Sequence, residues 1–86
     1  MMTGAQLRAA RALVRLSAED LAERSGVGVA TIWRAEALDG PVKMIPANRA
    51  AVTAALEAAG VVFIAGGDGG PGVRLAVAAD GRPRNA

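Results

Sequence analysis

Residues 18–37, AEDLAERSGVGVATIWRAEA, constrain the fold of this chain more than any other stretch. They predict a helix, a tight turn and a second helix. Ala22 falls where the two helices must touch. Gly26 lies four positions on, where the chain turns sharply, and Ile32 six beyond that, pointing back into the core. A small residue, a glycine and a branched apolar residue at this spacing are what two helices crossed at a short turn require.

The flanking segments extend the pattern. Thr3 is placed to cap a first helix over residues 4–16, with Leu7, Ala10, Leu13 and Val14 as its apolar stripe. Ser17 caps the next helix, 18–25, and Ser17 with Asp20 three residues on resembles a capping box in which Asp replaces the usual Glu. Leu21 and Ala22 face inward, and Gly26 stops the helix. A third helix covers 29–38 with Gly28 as its N-cap, an acceptable but poorer cap than serine. Asp39, Gly40 and Pro41 break the chain, and a loop runs through Pro46. Asn48 is the expected cap of a fourth helix over 49–59, with Val52, Ala55, Leu56 and Ala59 inward and Gly60 ending it. Two β-prone runs, 61–64 and 73–77, flank the turn-rich GGDGGPG of 66–72 and predict a β-hairpin. The expectation is a mainly α fold, a four-helix bundle over 3–60, followed by a hairpin over 61–78 and a loose tail over 79–86.

Composition removes several classes of function. Eighty-six residues make one small domain. Cysteine is absent, so no disulfide or thiolate metal site can form, and histidine is absent too. No metal and no cofactor are expected. Glu19, Asp20 and Glu23 crowd the first turns of the second helix, where the helix dipole favours them, and no nucleophile has an adjacent base. An enzyme is therefore not expected. GGDGGPG lacks the lysine and Ser/Thr of a phosphate-binding loop. No apolar run approaches the roughly 20 residues that span a bilayer, and MMTGAQLRAAR lacks an apolar signal core. A cytoplasmic chain with no membrane partner is expected. The net charge is only +2, but Arg8, Arg11 and Arg15 precede the first acid, Glu19. A basic face of this kind suits a phosphate backbone.

A helix-turn-helix that reads DNA sets its second helix in the major groove. With Ile32 and Ala35 inward, Val29, Ala30, Trp33 and Arg34 face outward as candidate base contacts. Arg34 can fork onto guanine O6 and N7. Val29 and Ala30 offer only apolar contact, to thymine methyls, or set clearance. Trp33 either packs on sugar or a thymine methyl, or folds back over the space left by small Ala35. Candidate phosphate contacts are Arg8, Arg15, Thr31, Lys43 and Arg49.

In LRAAR, LSAEDLAERSGV, ATIWRAE and ALEAAGVVF the chain resembles the XRE, or lambda-repressor-like, helix-turn-helix transcriptional regulators, and in particular small bacterial members that append a hairpin. The resemblance covers about residues 4–60. It implies a compact helical bundle, binding of an operator in double-stranded DNA by the third helix, and a structural ion pair between Arg11 and Glu36. Three positions depart from the family pattern: Ala18 stands where many members have a phosphate-contacting glutamine, Gly28 replaces the usual serine cap, and Ala35 replaces a large apolar residue. One such module makes few phosphate contacts, so a homodimer through the hairpin, by strand pairing or face packing, is expected, with half-sites roughly 34 Å apart. The rival to dimerisation is a hairpin packed on its own fourth helix. The functional expectation is a sequence-specific regulator, acting as a repressor. The alternative is a protein-interaction module, or antitoxin-like partner, that keeps the fold with weak DNA binding.

Overall fold

The computed structural model describes residues 2–67 and 69–76. Four helices are followed by an antiparallel pair of strands. Helix α1 (Gly4–Val14) starts at Thr3, whose hydroxyl accepts from the Gln6 amide at 3.0 Å while Gln6 Oε1 accepts from the Thr3 amide at 2.9 Å. It stops two residues sooner than expected because Arg15 turns left-handed, at φ 56°. The Leu16 amide then reaches back to the Arg11 carbonyl at 3.0 Å, closing the end of the helix and directing Leu16 into the core.

Helix α2 (Ala18–Ser25) has the expected reciprocal cap: Ser17 Oγ accepts from the Asp20 amide at 2.9 Å, and Asp20 Oδ2 from the Ser17 amide at 3.2 Å. Gly26 ends it at φ 74°, in the left-handed region where a side chain is strained. After the turn, α3 (Val29–Glu36) begins at Gly28, which supplies no side-chain cap. Helix α4 (Pro46–Ala58) begins three residues ahead of the expected start. Pro46, not Asn48, sets that start. Proline's fixed φ suits the first helical position, and its missing N–H would have had no partner there.

Between α3 and α4 the chain runs extended beside the N-terminus. The Gly4 amide donates to Gly40, the Val42 amide to Met2, and Thr3 bridges Pro41. Alternation along this stretch buries Val42 and Met44 and leaves Lys43 and Ile45 exposed. The centre of the core is Leu7, Leu21, Ile32, Val52, Leu56 and Val61. Leu13, expected on the inward stripe of α1, is exposed, because six residues at 3.6 per turn carry it well round the helix from Leu7 at the centre of the buried face.

Strands β1 (Val61–Ile64) and β2 (Gly72–Leu75) pair with Val61 opposite Leu75 and Phe63 opposite Val73. The second strand thus begins one residue ahead of the expected run, and Val77, with the tail over 79–86, lies outside the described residues. Val61, Phe63 and Val73 pack on the core, and the hairpin rests on α1 and α4 of its own chain. Gln6 fastens it there. Its buried amide donates to the carbonyls of Ile64 (3.1 Å) and Gly72 (2.9 Å), one from each strand. Among the described residues no helix is long and apolar enough to cross a membrane.

Candidate nucleic-acid interface

Helix α3 is divided cleanly into two faces. Ile32, Ala35 and Glu36 are buried, and Val29 packs partly against the core. Ala30, Trp33 and Arg34 are exposed on the other side. Trp33 keeps 52% of its surface open. Arg34 donates to the Thr31 hydroxyl at 3.2 Å, one turn earlier on the same helix. That bond uses one of five N–H donors and leaves the guanidinium fork available.

The C-terminal end of α3 is gripped by α1. Arg11 makes a forked contact with the Glu36 carboxylate, Nε to Oε2 at 2.6 Å and Nη2 to Oε1 at 2.7 Å. Its remaining nitrogen, Nη1, donates to the Leu16 carbonyl at 2.9 Å. Only 23% of the Arg11 side chain and 9% of the Glu36 side chain are open to solvent. Hydrogen bonding to Glu36 raises the Arg11 pKa above its ordinary value, so the guanidinium is held charged.

Arg8 adds a second clasp. It donates to the carbonyls of Glu36 and Leu38, the latter at 3.3 Å, and pairs with Asp39 at 2.6 Å. These carbonyls lie at the negative end of the helix dipole, where a cation is favoured. Arg8, read from the sequence as a phosphate contact, is thus turned onto its own fold. Gly4 completes the grip. A Cβ there would stand 1.8 Å from the Leu38 carbonyl oxygen and 2.5 Å from that of Ala35.

The other candidate phosphate contacts are dispersed. Arg15 is exposed at the turn before α2, and Lys43 projects from the extended stretch before α4. Thr31 is half-buried and is engaged by Arg34. Arg49 points along α4, donates weakly to the Met44 carbonyl at 3.5 Å, and lines a groove between α4 and β1. Ala18, where the resembled family holds a polar contact, is buried.

Sequence reasoning missed Gly4, Gln6 and Asp39. Each acts through a partner far along the chain, and no local spacing marks Gly4 or Asp39; Gln6 does carry a local signal, standing three residues after Thr3 as a capping box requires. Compared with family models and with curated proteins, the chain matches none.

Proposed function

We propose that the chain is a sequence-specific DNA-binding regulator of the lambda-repressor-like class, acting in the cytoplasm as a repressor by occupying its operator. The observation that carries this reading is the presentation of α3. Ala30, Trp33 and Arg34 face solvent on a helix whose opposite face is in the core and whose C-terminal end is fixed by Arg8 and Arg11. A rigidly held helix with one open face, an arginine and apolar neighbours is what major-groove reading needs. Arg34 is the base-reading donor, aimed at one guanine, and is worth roughly 1–3 kcal/mol of discrimination. Ala30 and Trp33 supply apolar contact to thymine methyls and sugar, and Val29, packed partly on the core, sets clearance beside them. Arg15 and Lys43 are the phosphate contacts, since Arg8 has an internal partner.

The exposed Trp33 and the apolar Ala18 favour a second reading, a protein-interaction module on the same scaffold. Selection from randomised duplexes at two salt concentrations separates the two. A regulator enriches a defined site, with affinity falling steeply as salt rises. Arg34→Ala then relaxes the preference at one base pair, with a loss of roughly five- to hundredfold at that site. A selection that enriches no sequence overturns the regulator and leaves the interaction module.

A further inference from the structure

Helix α4 carries an unpaired face. Val52 and Leu56 are fully buried, with Ala51, Ala55 and Ala59 packed around them. The neighbouring stripe, Arg49, Ala50, Thr53, Ala54 and Glu57, lines a groove of about 520 Å³ whose far wall is β1, with Ile64 among its lining residues. The middle of the stripe is small and weakly polar, which lets another helix approach to interaxial distances of about 8 Å. Ile64 stands 36% exposed and Ile45, next to the Pro46 that also lines the groove, 63% exposed. Gln6 holds β1 in place, so the wall is fixed.

The ends of the stripe carry opposite charges. Arg49 and Glu57 lie on one face about 12 Å apart along the axis, at 1.5 Å per residue. Neither forms a salt bridge among the described residues. A surface positive at one end, negative at the other and small between is complementary to itself turned through a half-rotation. A uniformly acidic or basic partner satisfies only one end, and duplex DNA is repelled by Glu57.

We propose that this groove is the seam of a homodimer in which two copies lay α4 antiparallel across a two-fold axis near Thr53, each Arg49 meeting Glu57 of the second copy and each Ile64 covering the edge of the seam. The hairpin contributes a wall to this interface and stays paired within its own chain. The dimer is independent of the DNA-binding reading, and its test needs no DNA.

The test is sedimentation equilibrium on the full chain over a wide concentration range. Wild type shows a monomer–dimer equilibrium. Arg49→Glu sets Glu against Glu across both ends of the seam, and Glu57→Arg sets Arg against Arg. Each raises the dimer Kd at least tenfold. An equimolar mixture of the two variants recovers dimer, because the heterodimer restores an opposite pair at both ends. The neutral variants Arg49→Gln and Glu57→Gln cover the case in which a reversal disturbs the fold, and each weakens the dimer a few-fold. A wild type that stays monomeric, single variants that dimerise like wild type, or a mixture no better than its components while far-UV circular dichroism is unchanged, overturns the proposal.

Discussion

Arg11 and Glu36 are ionised groups held against each other with little access to water. Taking one away leaves the other charge partly buried and unpaired, which costs about 3 kcal/mol or more even where the intact pair adds little net stability. Arg11→Ala and Glu36→Gln are each expected to lower the unfolding free energy by that amount, read from denaturant curves as a lower midpoint, and the double variant to cost less than the sum of the singles, as a double-mutant cycle would read directly. Gly4 is a steric case. A methyl group there collides with two backbone carbonyls that cannot swing aside. Gly4→Ala is expected to cost about 1–3 kcal/mol by prising α1 from the end of α3, although alanine is the better helix former. Thermal unfolding of the variant checks it.

At the scale of the element, caps decide where helices begin. The Ser17–Asp20 cap is electrostatic as well as local. The Ser17 amide, and then its hydroxyl, hold the Asp20 carboxyl below the usual aspartate range. A carboxyl lowered by folding stabilises the native state above its unfolded pKa, about 4, and that stabilisation is lost as pH falls through the lower folded value. The stability gap between wild type and Asp20→Asn is therefore expected to be constant above about pH 5 and to close below about pH 4, as read by urea unfolding across pH. This cap was legible in the sequence because its partners lie three residues apart. The start of α4 was less so, because Pro46 and Asn48 are both start signals and the backbone follows the proline. The grip on α3 was hardly legible. Arg11 and Glu36 are 25 residues apart, and only the family resemblance paired them. Nothing local marks Arg8 as an internal clasp.

At the scale of the molecule, a small core is supplemented by a few long-range polar ties. Gln6 is the chief one, joining α1 to residues 58 and 66 positions away. The same side chain caps its own helix through Thr3. Gln6→Ala leaves two strand carbonyls and a helix-start amide without their partner, at about 1–3 kcal/mol for each group that water cannot reach. The expected outcome is a lower melting temperature together with faster amide hydrogen exchange in β1 and β2. A change confined to α1 would mean that the hairpin is held by apolar packing alone. The hairpin itself could be read from its β-prone runs and glycines, and so could its rough extent. Its seat could be read only in part: packing on the fourth helix stood as one of two alternatives, and nothing in the hydropathy pointed to α1.

The two arginine clasps sit at one end of α3, and the glycine that opens the helix offers no side chain to hold the other. The polar ties are therefore all at one end, and the rest of the helix is seated by apolar packing, through Ile32, Ala35 and Val29. Whatever surface this helix meets, its alignment is set by the bundle behind it.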